Sequence, residues 1–218
     1  MENDSGFEFQ EERLELVAKL RANGVRNEAT LKAMATVPRH LFVPKHLQRH
    51  SYQDVALPIG AEQTISQPFV VARMTEVILE EREKLHKVLE VGTGSGYQAA
   101  VLSQLADAVY SIERIGVLWQ QATKLLKKLG YKNVHTLHAD GYLGWEEHSP
   151  YEAIIVTAAA PQVPEALLQQ LADGGRMVIP VNSPDGWQDL RFIIRDGDKY
   201  YTHFIDPVMF VPLKHGVM

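Results

Sequence analysis

Between residues 87 and 182, short apolar runs take turns with helical stretches. Val88-Leu89-Glu90-Val91 reads as a strand, glycines follow it, and a helix is expected near 97–106. Val109-Tyr110-Ser111-Ile112 is a second strand, and 116–129 a second helix ended by Gly130. Val134 to Ala139 makes a third strand. Ala153-Ile154-Ile155-Val156 is a fourth, continuous and apolar, as expected of a strand covered on both faces. A helix over 162–172 leads to Gly174-Gly175 and then Met177-Val178-Ile179. Strands separated by helices need crossover connections, and these generate a parallel sheet with helices on both faces.

The flanks add to that core. Leu14, Val17 and Leu20 lie near helical spacing, and Asn23-Gly24 ends the run. Leu31, Met34, Ala35 and Val37 suggest a second helix, closed before Pro38. Residues 38–67 read as irregular, punctuated by Pro38, Pro44, Pro58 and Gly60, and a stretch of that kind inside a compact domain signals functional loops. Residues 68–82 read as a helix with Pro68 in its first turn. Leu190 to Ile194 and Tyr200 to Val211 are strand-like and expected to pair antiparallel at the sheet edge. The fold class is α/β: a Rossmann-like, doubly wound, mostly parallel sheet with an antiparallel C-terminal edge and an N-terminal helical addition. At 218 residues, one domain is expected, divided into N-terminal helices and loops (1–85), a ligand-binding core (86–182) and C-terminal strands (183–218).

Composition excludes several functions. Lys plus Arg is 22 against 27 Asp plus Glu, a formal charge of −5, so nucleic acid is a poor expectation. Cysteine is absent, which removes disulfides, thiolate zinc sites and any cysteine nucleophile. His46 and His50 have zinc-helix spacing, but Leu47 stands where a zinc hydrolase has Glu, and no metal is expected. The start, Met1-Glu2-Asn3-Asp4-Ser5, is acidic and lacks an apolar segment, so no signal peptide is expected. The longest apolar stretch, 153–160, is far below the ~20 residues of a membrane span, and a soluble cytoplasmic protein is expected.

The loop after the first strand is Glu90-Val91-Gly92-Thr93-Gly94-Ser95-Gly96-Tyr97. It lies where α/β sheets bind ligands, beyond the carboxyl ends of the strands. A bare strand–helix turn needs fewer glycines. The dinucleotide pattern G-x-G-x-x-G fails at Tyr97, and a phosphate-binding P-loop fails because no lysine occurs between Lys87 and Lys124. Ser95 lies between Thr93 and Tyr97, so it is no hydrolase elbow. The remaining pattern, acidic-x-G-x-G-x-G, resembles motif I of the class I S-adenosylmethionine-dependent methyltransferases, whose ligand has no phosphates. Glu113, 21 residues past Gly92 and followed by Arg114, ends the second strand, where a carboxylate can accept from both ribose hydroxyls. Asp140-Gly141 ends the third, where an acid can take an adenine amino group or simply form an Asx-type turn.

Amino-group methylases carry Asn/Asp-Pro-Pro-aromatic after the fourth strand; here the chain reads Thr157-Ala158-Ala159-Ala160-Pro161. Val37-Pro38-Arg39-His40-Leu41-Phe42-Val43-Pro44, Ala56-Leu57-Pro58-Ile59-Gly60, Gln63-Thr64-Ile65-Ser66-Gln67-Pro68, Val156-Thr157-Ala158-Ala159 and Phe210-Val211-Pro212-Leu213 resemble the protein-L-isoaspartate O-methyltransferase family, from about residue 10 to 214. That resemblance implies a cytosolic repair enzyme acting on isoaspartyl-containing damaged proteins and peptides; a monomer is expected. It would methylate the free α-carboxylate with S-adenosyl-L-methionine, release S-adenosyl-L-homocysteine, and leave an ester that cyclises to a succinimide. It further implies that Ser66 donates to the acceptor carboxylate, with a helix cap before Pro68 as the alternative role. Gln63, Thr64 and Ile65 would line the cleft, Ile59 would meet substrate, and Phe210 and Val211 would cover it, unless they only continue an edge strand. A carboxylate is ionised at neutral pH, so no general base is needed. Two rivals remain: a small-molecule methyltransferase and a non-catalytic reader of damaged peptides.

Two positions depart from the family. Glu62 stands where glycine is common, and it is expected to bring a carboxylate near an anionic acceptor and to avoid left-handed backbone. Met209 stands where many bacterial members have Arg.

Overall fold

The computed structural model describes residues 9–218. Helices α1 (Gln10–Ala22), α2 (Glu28–Thr36) and α3 (Pro68–Leu79) precede the core, with a two-stranded hairpin, β1 (Leu57–Gly60) and β2 (Gln63–Ile65), between the last two. The core runs β3 (Leu85–Val91), α4 (Tyr97–Ser103), β4 (Ala106–Glu113), α5 (Gly116–Lys128), β5 (Val134–His138), β6 (Tyr151–Val156), α6 (Glu165–Gln169) and β7 (Leu171–Asn182). β8 (Gln188–Asp196) and β9 (Lys199–Val208) finish it.

The seven-stranded sheet has the order β5-β4-β3-β6-β7-β8-β9. Its first five strands are parallel, and β7, β8 and β9 pair antiparallel, as the sequence suggests. Chain order reverses between β3 and β6, so the carboxyl ends of these neighbours form the crevice where such sheets bind ligands.

Side chains along a strand alternate faces, and the two core layers follow that rule. Val88, Ile155 and Val178 pack into the layer beneath α1–α4, while their neighbours Leu89, Ile154 and Met177 pack into the opposite layer with Leu167 of α6. In α1 the buried face is Arg13, Leu16, Val17 and Leu20, and Leu14 is 54% exposed. A run of i+3 steps drifts off one face at 3.6 residues per turn, which is why Leu14 does not join Val17 and Leu20.

Other expectations needed revision. Residues 38–67 are ordered into two 3-10 turns (Arg39–Phe42 and Lys45–His50) and the β1–β2 hairpin. The helix expected over 162–172 shrinks to Glu165–Gln169, because Pro161 and Pro164 delay its start and Leu171 already pairs with Tyr151. Gly174-Gly175 therefore lies within β7. The last strand ends at Val208 instead of Val211.

Candidate active site at the carboxyl ends of the central strands

The glycine loop is shaped by contacts that only glycine allows. Gly92 has φ +101°, and a Cβ there would come within 2.3 Å of Thr157 Oγ1. That hydroxyl, just past β6, instead donates to Gly92 O (2.8 Å), locking the two strand ends together. Gly94, at φ +54°, meets only Ile59 Cδ1 (3.4 Å) where a Cβ would stand, so a ligand can approach its backbone closely. Gly96 starts α4, and Ser95 Oγ accepts weakly from Tyr97 N (3.4 Å).

Two carboxylates support this loop from below. Glu113 is nearly buried; its Oε2 accepts from Gly94 N (2.8 Å) and its Oε1 from Ile115 N (2.9 Å). Each oxygen keeps a further lone pair for a ligand hydroxyl. Glu90 is fully buried and accepts from Ser111 Oγ, which also bonds Thr93 Oγ1 (2.6 Å). Burial pushes the Glu90 carboxyl up to about 8, against the Ser111 hydrogen bond and with help from the Glu113 charge. Burial thus favours the protonated form of Glu90 beneath the loop.

Asp140 behaves as a turn residue. Its Oδ1 accepts from Tyr142 N (2.9 Å) and its Oδ2 from Gly216 N (2.7 Å). Arg114 also holds the segment after Leu213, donating from Nε to Gly216 O (3.0 Å), and His215 stacks on Tyr142 with ring centroids 3.6 Å apart.

On the other side, Ser66 precedes α3. The helix is capped by Asp54, whose Oδ1 accepts from Phe69 N (2.8 Å); Gln67 at the N-cap makes no side-chain cap bond and instead donates from Nε2 to Asp54 Oδ2 (3.0 Å). The capping alternative for Ser66 is thus not realised. Ser66 is held through its backbone: Arg39 donates to Ser66 O (2.7 Å) and to Ser51 O (2.8 Å), while its guanidinium lies 4.7 Å from the centre of the Tyr97 ring. Arg39 is fully buried, and desolvation lowers its pKa. Burial also raises the Tyr97 phenol to about 12, with Arg39 opposing the rise. One buried cation therefore couples the Ser66 segment to the first residue of α4.

Three cavities meet between these elements, and Thr64 and Thr157 line all of them. The largest, about 370 Å³, holds Ser66, Phe210 and Val211 in its wall. A second lies over Gly92, Gly94, Glu113, Arg114 and Gly141, with Gln63 at its rim. A third, between them, is bordered by Ile65, Ser66, Thr93 and Ser95. Glu90, Gly96 and Asp140 stand behind these walls. Phe210 and Val211 reach their place because the chain leaves the edge after Val208 and crosses back to the segment that follows β6: Ala159 N donates to Val211 O and Leu213 N to Ala159 O, each at 2.8 Å. They are therefore not a continuation of the edge strand.

Glu62 overturns its expectation. It forms the hairpin tip with Ala61, and both adopt left-handed backbone (φ 58° and 48°). Two such residues make the turn whose twist suits a two-residue hairpin. The Glu62 side chain is exposed and lines none of the three cavities.

Residues 11–218 match the family model of protein-L-isoaspartate(D-aspartate) O-methyltransferase (PCMT). The chain belongs to this family. It is 52% identical over 211 residues to a protein-L-isoaspartate O-methyltransferase of Dechloromonas aromatica, covering 97% of each chain. A relative of the same description from Halorhodospira halophila is also 52% identical, covering 97% of this chain and 95% of that one. Among solved structures, a protein-L-isoaspartate O-methyltransferase superposes with a TM-score of 0.84 at 30% identity, over 94% of this chain and 67% of that one. Another, a beta-aspartate methyltransferase (PCMT) from Plasmodium falciparum in complex with S-adenosyl-L-homocysteine, superposes with a TM-score of 0.78 at 25% identity, over 93% and 98% of the two chains.

Within this family fold, sequence reasoning passed over Thr157, Arg39 and Asp54 as site residues. Thr157 was findable, since it ends the strand beside the glycine loop. Arg39 was not, because a buried arginine looks like any surface charge until its partners are placed. Among the described residues, no cluster of His, Asp and Glu could hold a metal ion, and no helix is long and apolar enough to cross a membrane.

Proposed function

We propose that this chain transfers a methyl group from S-adenosyl-L-methionine to the free α-carboxylate of L-isoaspartyl residues in polypeptides. The observation that carries this, in a member of the PCMT family, is the meeting of a glycine cradle and an uncharged cleft at Thr64 and Thr157.

The cradle fits the cofactor. Gly94 leaves its ligand-facing side open, Glu113 keeps lone pairs for ribose hydroxyls, and no lysine waits for a phosphate. When bound, S-adenosyl-L-methionine supplies an electrophilic methyl group on a sulfonium. Gly92, Gly94, Glu113 and Gly141 would hold it, and Ile65, Ser66 and Thr93 face the passage toward the acceptor.

The protein's own task is then positioning. The acceptor is already an anion, with a pKa of about 3.5, so the site needs no base. Ser66 Oγ forms no hydrogen bond to other described residues and is available to orient one carboxylate oxygen. Arg39 fixes the backbone that carries it. Holding reactants in line can supply several kcal/mol of the barrier. The resulting ester is the more reactive carboxyl derivative, and its cyclisation to a succinimide needs no residue of this chain.

The direct test is formation of a base-labile methyl ester on a synthetic isoaspartyl peptide in the presence of the methyl donor. Ester on the peptide carboxylate is expected; methylation confined to amines or hydroxyls would rule the reading out.

A further inference from the structure

The cleft that contains Ser66 extends beyond what a single carboxylate occupies. Its lining includes Thr64, Ser66 and Thr157 together with Trp187, Val208 and Met209. Among the described residues, no Asp, Glu, Lys, Arg or His lines it. A wall without charge accepts an apolar side chain and disfavours a charged one, whose desolvation would go uncompensated.

Trp187 is 64% exposed and Met209 84% exposed. A single exposed apolar side chain is ordinary; these two line the same cleft. The backbone beside each is tied by hydrogen bonds. Gln188 faces Val208 in the β8–β9 register, so Trp187 and Met209 are the next residues along the two chains. The Gln188 amide then takes over where the ladder stops: Nε2 donates to Phe210 O (3.0 Å) and Oε1 accepts from Phe210 N (2.5 Å). Trp187 is anchored from the other side, its carbonyl accepting from Ser183 N (2.8 Å).

We propose that Trp187 and Met209, held at the mouth of the cleft by Gln188, form a subsite for an apolar side chain adjoining the isoaspartyl residue of a polypeptide substrate. The proposal rests on the isoaspartyl reading above. The occupant follows from continuity: the same cleft includes Ser66, so whatever lies between Trp187 and Met209 is attached to the acceptor. Gln188 is a positioning residue in this scheme, acting through Phe210.

The test uses isoaspartyl peptides that differ only in the residue before or after the isoaspartate: Leu, Phe, Gly, Asp or Lys. The Leu and Phe peptides are expected to exceed the Gly peptide about tenfold in kcat/KM at one of the two positions, mostly through KM, with Asp and Lys no better than Gly. Trp187→Ala and Met209→Asp should bring the Leu-to-Gly ratio close to one. Gln188→Ala should raise KM for the Leu peptide more than it lowers kcat, and Gln188→Glu, which retains an acceptor for Phe210 N, should recover part of that loss. Equal kcat/KM for all flanking residues, or a preference for charged ones, would overturn the subsite while leaving the isoaspartyl reading intact. No methylation of any isoaspartyl peptide would overturn both. Self-association that is lost in Trp187→Ala would mean that the patch serves a second copy of the chain, and would also overturn the proposal.

Discussion

Glu113 accepts a hydrogen bond from the backbone N–H of Gly94 at 2.8 Å, across the 19 residues that separate them in sequence. The acid at the end of β4 therefore does two things: it shapes the glycine loop that opens α4, and it faces the cavity above that loop. Removing it should be felt in both places.

Glu113→Ala is expected to weaken S-adenosyl-L-homocysteine binding by about 1.5–3 kcal/mol, the range for hydrogen bonds to a charged group. It should also lower stability, since Gly94 N and Ile115 N lose their acceptor. Titration calorimetry and melting curves on the same sample check both effects; unchanged affinity would remove Glu113 from the cofactor site.

Ser66→Ala should reduce turnover on an isoaspartyl peptide about tenfold or more, from loss of a hydrogen bond to a charged oxygen. Cofactor affinity and melting temperature should stay near wild type, because Asp54 and not Ser66 caps α3. Asp54→Ala is the complementary variant. It should cost about 1 kcal/mol of stability, the usual penalty for a lost cap.

The buried Glu90 makes a pH prediction. Its carboxyl is raised from 4.5 to about 8 in the folded chain, so the native state holds a proton that the unfolded state releases between those values. Stability from this group is full below about 4.5 and declines as pH rises toward 8, with a limiting slope of about 1.4 kcal/mol per pH unit. Glu90→Gln carries no such proton. Urea unfolding from pH 5 to 8 should show the wild type losing stability relative to this variant as pH rises; parallel curves would mean that Glu90 is ionised in the fold.

Glu62→Gly should leave the Michaelis constant for an isoaspartyl peptide unchanged, because the side chain lines no cavity. It should stabilise the protein instead. A left-handed non-glycine residue costs about 1–3 kcal/mol, only part of which glycine returns as extra chain entropy. A net gain of about 1 kcal/mol corresponds to about 2–4 °C in melting temperature for a chain of this size. A lower Michaelis constant without a thermal shift would place the carboxylate back beside the substrate.

The parallel core was legible because its strands are fully covered: Ala153 to Val156 and Val88 to Val91 advertise burial on both faces, and the glycines from Gly92 to Gly96 mark the loop proposed to hold the cofactor. The β1–β2 hairpin was not legible. Its strands are only 4 and 3 residues long, one contains Pro58, and its tip is Ala61-Glu62, with no glycine or asparagine to signal left-handed backbone. The roles proposed for Arg39 and Gln188 rest on contacts with partners distant in sequence, Ser66 and Phe210, and no local pattern encodes those contacts. Asp140 was expected at an adenine amino group, with an Asx-type turn as the alternative; its bond to Tyr142 N makes that turn, and its bond to Gly216 was not legible because the two residues lie 76 positions apart.

The most direct measurement is methyl transfer from labelled S-adenosyl-L-methionine to two peptides of identical sequence, one with L-isoaspartate and one with ordinary L-aspartate at the same position. The expected result is label on the isoaspartyl peptide as a base-labile ester, little or none on its isomer, and a large loss of that signal in Ser66→Ala. Equal labelling of the two isomers, or label on neither while the chain still binds S-adenosyl-L-homocysteine, would contradict the assignment of the Ser66 cleft to an isoaspartyl carboxylate.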